Sequence, residues 1–267
     1  MKRKLGINVD CLRGFKSDLE TLEIAHKMGF EAFFVALRSQ EEIAALKKRG
    51  DELGMDFEFI HAPFNGINEM WMPGMGYLTM FNAMKKSIDV AAACGVPAVI
   101  THVSSGWNPP QVNDLGFARY DEIVLYAKEK GVIVAFENLR MLGNLAVLVD
   151  RYEKMDNVRF CYDAGHEHCY TKTVSWLDIF TDRLQCTHIH DNPGRPFEDK
   201  VKDYDYHWLP FDGSVDFTRM MRKLDEYGFK GPLILEMNIN VREDYKAMGC
   251  EAFMATAYDR IKKISEL

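Results

Sequence analysis

The chain has 267 residues, of which 47% are hydrophobic and 27% charged, and a formal net charge of −7. That balance is ordinary for a soluble protein, and no apolar run approaches the roughly 20 residues that span a bilayer, which excludes a transmembrane helix. The acidic surplus argues against a generic nucleic-acid binder, whose affinity comes from neutralising phosphates.

The N-terminus, MKRKLGINVD, starts basic, but Asp10 and Arg13 cut its apolar stretch short. It reads as a first strand at 4–10 rather than a signal peptide. Ser17-Asp-Leu-Glu20 has the form of a capping box opening the first helix. Strands follow at 31–37 (EAFFVAL) and 56–62 (DFEFIHA), with Gly54 where a helix C-cap belongs. After a long connection at 64–77, Leu78, Phe81, Met84, Ile88 and Ala91 recur at steps of three and four, predicting a helix that ends before Gly95. The fourth strand is 98–105 (AVITHVSS). Phe117, Tyr120, Ile123, Val124 and Ala127 mark the next helix, closed by Gly131. Strands at 132–139, 158–164 and 184–191 come next, then a second long connection at 192–213. Phe217, Met220, Met221 and Leu224 predict a helix ending near Gly228. The eighth strand is 232–238 (PLILEMN), and a last helix runs through Met248, Phe253, Ala257, Ile261 and Ile264.

Eight alternations imply a parallel sheet with right-handed crossovers. The predicted class is α/β, a (β/α)8 TIM barrel formed as one domain over 1–267, and the length is close to the roughly 250 residues typical of it. An open doubly wound sheet would carry a Gly-rich phosphate loop after the first strand, where NVDCLRG stands instead. Phe64, Trp71, Met72, Trp208 and Phe211 are too apolar for idle loops; they either cover a pocket or pack on the barrel rim. The six cysteines are scattered with no CxxC pair, and read as reduced thiols of a cytoplasmic protein.

Several strand-like runs end abruptly in an acidic or imidazole group: Glu137, Asp163 with His166, His188, and Glu236. Burying such groups unpaired is costly, and a divalent cation is the simplest partner for two Glu, one Asp and one His. Glu137 and Asp163 are 26 residues apart, and Asp163 and His188 are 25 apart, one β/α unit each. Equivalent positions in successive units converge on the C-terminal mouth of a barrel. The donor types suit Mn²⁺, Zn²⁺, Co²⁺ or Mg²⁺ and do not select among them. Taken singly, each residue has a blander reading: a salt-bridged Glu, a hydrogen-bonded core His, an Asx turn at 163–166. His61, His102, Asp205 and His207 are further candidates, as additional ligands, as partners that orient ligands, or as substrate hydrogen-bonders. His168 and His190 each sit two residues from a stronger candidate and read as structural.

FEN at Glu137, DAGH at 163–166, His188-Ile-His-Asp191, Asp205-Tyr-His207 ahead of Phe211-Asp-Gly213, and LEMN at Glu236 together resemble the xylose isomerase-like superfamily. It comprises sugar isomerases, ketose 3-epimerases, inosose dehydratase and isomerase relatives, and the endonuclease IV type of AP endonuclease. The resemblance implies a metal-dependent sugar or sugar phosphate isomerase or epimerase acting on a small carbohydrate. Glu137, Asp163, His188 and Glu236 would hold the metal, and Glu137 and Glu236 would act as acid and base. His166 and Arg195 would grip substrate oxygens, with His61, His102 and His207 beside them. Trp107 would stack on a sugar face or pack on the rim. Pairing of copies into a homo-oligomer is a further expectation. In the endonuclease branch, a trinuclear zinc set would be matched by His61, His102, Glu137, Asp163, His166, His188, Asp205, His207 and Glu236. Against that branch, Pro210 and THVSSGW depart from its pattern, and residues 62–77 contain no Lys or Arg to hold phosphates. A sugar-binding barrel without turnover is the third reading.

Overall fold

Each apolar run forms a strand in the computed structural model, which describes residues 3–196, 198–199 and 202–267. β1 (Leu5–Asn8) leads to α1 (Asp18–Met28), β2 (Ala32–Ala36) to α2 (Gln40–Leu53), and β3 (Asp56–His61) through a 3₁₀ turn at Ile67–Trp71 to α3 (Tyr77–Cys94). β4 (Ala98–Thr101) leads to α4 (Asp114–Lys130), β5 (Ile133–Glu137) to α5 (Leu142–Arg151), and β6 (Val158–Asp163) to α6 (Ala164–Tyr170) and α7 (Trp176–Phe180). β7 (Leu184–His188) leads to α8 (Phe217–Glu226), and β8 (Leu233–Leu235) to α9 (Glu243–Met248) and α10 (Cys250–Ser265).

The strands pair in the order β7-β6-β5-β4-β3-β2-β1-β8. The ring closes one residue beyond β7, where the Ile189 N–H donates to the Ile234 carbonyl (2.8 Å) and its carbonyl accepts from the Glu236 N–H (3.1 Å). The expected (β/α)8 barrel is therefore what forms. Its strands are shorter than the apolar runs suggested. Beyond the mouth, backbone groups turn to side-chain partners, as the Met237 N–H does to Asn8 Oδ1 at 2.7 Å.

Local signals act as expected at several ends. Ser17 and Glu20 cap α1 reciprocally, and Ser39 and Glu42 do the same for α2. Gly54 and Gly95 close α2 and α3 in the left-handed conformation, with φ of 71° and 68°. The predicted last helix needs correction. Gly249 (φ 79°) breaks it, so Met248 belongs to the short α9 and the apolar face of α10 begins at Phe253. Among the described residues no helix is long and apolar enough to cross a membrane.

The barrel interior explains where the polar residues stand. Side chains alternate between the two faces of a strand, so every second residue points inward. Phe59, Ile100, Ala135, Cys161, Cys186 and Ile234 make an inner apolar layer with Phe34 and Ala98. Two residues further on in each case come His61, His102, Glu137, Asp163, His188 and Glu236. A ring of ligating side chains thus rests on an apolar floor. Phe34 stacks on His188 and Phe59 packs against it at a tilt, with ring centroids 5.0 and 5.4 Å away. Removing the floor should be costly. We expect Phe59→Ala to destabilise the fold by about 3–5 kcal/mol in denaturant unfolding. A loss under about 1 kcal/mol would show that the barrel interior collapses to fill the gap.

Candidate metal centre

Glu137 is the hub of the mouth and is 1% exposed. Its Oε2 lies 3.2 Å from His61 Nε2 and 3.2 Å from His102 Nε2. Its Oε1 lies 3.1 Å from His166 Nδ1 and 3.4 Å from His188 Nδ1. The His166 hydrogen, however, goes to the Asn138 carbonyl at 2.9 Å, which leaves Oε1 without a hydrogen bond. Asp163 uses Oδ1 to cap α6 through the His166 N–H, so the Asx turn is real, while its Oδ2 has no hydrogen-bond partner. Asn138 holds the Asp163 backbone on both sides, accepting from its N–H at 2.7 Å and donating to its carbonyl at 2.9 Å. His188 Nδ1 lies 3.4 Å from a Glu236 carboxylate oxygen and 3.9 Å from Asp163 Oδ2.

Three histidines share one orientation. A carbonyl oxygen only accepts, so the nitrogen facing it carries the proton. Nδ1 of His61, His166 and His207 donates to the carbonyls of Ala62, Asn138 and Glu236, at 2.8, 2.9 and 3.1 Å. Each ring thereby turns Nε2 toward a carboxylate of the mouth. Donation of the far nitrogen to a carbonyl is how proteins orient metal-ligating imidazoles.

Donor atoms of Glu137, Asp163, His188 and Glu236 lie within 4.8 Å of one another. The same holds for His61, His102 and Glu137, and for His166, His190, Asp205 and His207. Glu137 Oε1, Asp163 Oδ2, both nitrogens of His188 and Asp205 Oδ1 are buried without hydrogen-bond partners. Buried polar atoms are ordinarily paired, and so many orphans in one place fit a cation binding among them. The residues present therefore suit a divalent metal. Their chemistry is mixed: an oxygen-rich set around Glu137 and Glu236, and nitrogen-rich sets on either side.

Burial pushes the Glu137 carboxyl up, but His188 and His102 more than offset it and hold the group well below the usual carboxylate range. Asp205 is held low in the same way by His166, His207 and His190. Burial alone would lower His188, yet Glu236 and Glu137 push it up to about 10. His207 rises to about 10 because Asp205 outweighs its burial. His102 is lowered, chiefly by burial. A raised value means that the metal-free imidazole holds its proton at pH 7, and a cation must displace that proton. Metal uptake at pH 7 should therefore release protons and weaken as pH falls, measured by calorimetry in buffers of different ionisation enthalpy. Uptake with no proton release would contradict this arrangement.

The mouth opens into a cavity of about 360 Å³ walled by Glu137, His166, His207 and Glu236, with Phe64 and Arg140 among its other residues. Phe64, 47% exposed, stacks on His102 at 4.2 Å. It is the member of the apolar loop group that covers the cavity. Trp71 is buried and donates to the Val103 carbonyl, packing on the rim, and Trp208 stacks on Tyr206. Trp107 and Arg195 are not brought into the cavity lining. The Arg195 guanidinium lies 4.1 Å over the Trp107 ring, and its Nε donates to the Cys169 carbonyl. His168 bonds Ser214 outside the cluster.

Two residues that the sequence did not put forward stand at the mouth. His190 is buried inside the cluster. Arg140 reaches the cavity wall, where Nη2 donates to Tyr170 Oη (2.6 Å) and Asp203 (2.8 Å). The spacing of two from His188 was the available signal for His190. Asp205 and His207 arrive from the 192–213 connection because Asp191 folds it back. The Asp191 carboxylate accepts from the N–H groups of Phe211, Gly213 and Val215. A larger hollow of about 650 Å³ beside α1 and α2 offers no such donor set, and its Arg38 and Asp18 pair with each other.

An uncharacterized protein of Sinorhizobium fredii is 31% identical over 201 residues, 66% of this chain and 62% of that protein. Inosose dehydratase of Glaesserella parasuis is 28% identical over 147 residues, 48% of this chain and 49% of that enzyme. The chain thus spans less than two-thirds of the length of these curated relatives. Among solved structures, 3-keto-D-glucoside 4-epimerase of E. coli superposes over 100% of both chains with a TM-score of 0.73 and 16% identity, a likeness of fold. Residues 22–252 match the xylose isomerase-like TIM barrel family, and this chain belongs to it.

Proposed function

We propose that the protein is a divalent-metal-dependent sugar isomerase or epimerase that moves a proton on the carbon next to a carbonyl. The observation that carries this reading is the meeting of Glu137, Asp163, His188 and Glu236 at the edge of a small cavity. When bound there, a divalent cation supplies Lewis-acid stabilisation of charge developing on a substrate oxygen. Glu236 borders the cavity with its side chain 19% exposed, so its carboxylate can reach a substrate carbon and take the proton. Glu137 borders the same cavity but is enclosed by imidazoles, and chiefly fixes the charge at the centre. An aldose–ketose isomerisation needs Glu236 alone; an epimerisation needs Glu137 as the second member of the pair. Phe64 shields one side of the cavity from water, and Arg140, braced by Asp203, presents a donor to substrate hydroxyls.

One observation favours a second reading. Neighbouring donor sets in one mouth suit a multinuclear phosphodiesterase, since paired metal ions can clamp both oxygens of a displacement. The cavity wall argues for the sugar. Among the described residues its one guanidinium, Arg140, is already paired with Asp203, and no lysine lines it. Gripping a nucleic-acid backbone takes several phosphate contacts.

Solvent-deuterium exchange across common ketoses, aldoses and inososes tests the proposal. Exchange at the carbon next to the carbonyl is expected with metal-loaded protein and should vanish in Glu236→Gln. Metal-loaded protein that exchanges no sugar proton yet nicks abasic duplex DNA would replace it with the second reading.

A further inference from the structure

A second hollow opens beside the cavity at the metal centre, on the side of β1 and β8. It measures about 340 Å³, against about 360 Å³ for the first. Phe64, His207 and Glu236 line both. The two chambers therefore share a wall that carries the carboxylate placed to move the proton. Each has the size of a small-ligand site.

The second chamber is preformed. Asn8 holds Met237 on both sides, accepting from its N–H at 2.7 Å and donating to its carbonyl at 3.0 Å. The Ile239 N–H donates to the Cys11 carbonyl at 3.0 Å, and Asn240 Nδ2 donates to the Arg13 carbonyl at 2.9 Å. The connections after β1 and β8 are thereby tied into one wall. Groups fixed before a ligand arrives lose little freedom when it binds.

The polar groups of this wall are only partly used. Arg13, its side chain 65% exposed, donates through Nη2 to Asp10 at 3.1 Å. Asn238 Oδ1 accepts from the Asn240 N–H. Among the described residues nothing bonds Arg13 Nη1, Asn238 Nδ2 or Asn240 Oδ1. Donors and an acceptor on planar groups thus stand open near the exposed ring of Phe64. Hydrogen-bonding edges beside an aromatic face suit a sugar ring, which offers hydroxyls at its rim and C–H groups on its face. An anion is poorly served there. Asp10 and Glu236 both border the chamber, Arg13 is already paired with Asp10, and like charges brought together repel.

We infer that the second chamber binds an uncharged sugar unit linked to the one that reacts, so that the substrate is a keto sugar carrying a second glycosyl unit. The inference rests on the proton transfer proposed at Glu236 and adds the other half of the substrate. The reacting unit lies in the first chamber, and the link to the second passes Phe64 and Glu236.

The test offers metal-loaded protein lactulose, turanose and isomaltulose. These are ketohexoses with a free carbonyl that carry a second hexose and differ in its linkage. Fructose and fructose 6-phosphate are the single-unit partners. Affinity is read from ligand-induced shifts in Tm, which need no turnover, and deuterium exchange is read on the same panel. At least one disaccharide should bind about tenfold or more tightly than fructose, the effect of one added hydrogen bond to a charged group. Arg13→Leu and Asn238→Ala, both at exposed positions, should each shrink that ratio toward one. A disaccharide that binds in this way but exchanges no proton would keep the chamber as assigned and overturn the proton-transfer reading. Absence of disaccharide binding would overturn the chamber's assignment. So would fructose or its phosphate binding as tightly as every disaccharide, or a preference that both variants leave intact, and exchange on single sugars would then keep the proton-transfer reading standing.

Discussion

On the function proposed above, replacing Glu137 by glutamine should strip the barrel mouth of its metal. The glutamine has the same shape, but it removes the charge and turns amide hydrogens toward lone pairs that now face a carboxylate. Glu137 contributes to the donor set with His61 and His102 as well as to the central one. The loss should therefore exceed the roughly 10–100-fold in affinity that disturbing an outer partner costs. Elemental analysis after dialysis should show the central ion gone, and deuterium exchange into any sugar substrate should fall below detection. A Glu137→Gln protein with its full complement of metal would remove the central claim about this site.

Chelation should have the next largest effect. Without a cation, the mouth packs carboxylates and imidazoles against each other with several atoms orphaned. A ligand at about 100 times its Kd stabilises the native state by about 2.7 kcal/mol. For a chain of this size, each kcal/mol moves Tm by about 2–4 °C. Removing the metal from loaded protein should thus lower Tm by about 5–10 °C, read by thermal unfolding with and without chelator. Restoring the ion should return the lost stability. An unchanged Tm would mean that the cluster is stabilised by its own ion pairs and binds metal weakly at most.

Much of this site is legible in the chain. Glu137, Asp163, His188 and Glu236 stand out because a strand exposes alternate faces, so each polar residue two positions past an inward apolar one must enter the same ring. His190 lay on the same face as His188 inside the expected strand and was ranked below it; β7 itself ends at His188, and the Ile189 bridge continues its line. Asp205 and His207 show as motif residues, but their route to the mouth depends on Asp191 gathering three distant N–H groups, which no periodicity encodes. Arg195 and Trp107 illustrate the reverse: plausible substrate contacts by position that satisfy each other by stacking. Gly249 shows how one left-handed residue divides a continuous apolar pattern into two helices.

The seam between β7 and β8 has a mechanical consequence. The barrel there is sewn by two backbone hydrogen bonds of Ile189, with His188 immediately on one side and Glu236 on the other. An ion gripping both residues acts as a clasp across the thinnest join in the cylinder. Amide exchange at Ile189 and Glu236 should then be slow when the clasp is fastened and should quicken before that of any other strand when it is released.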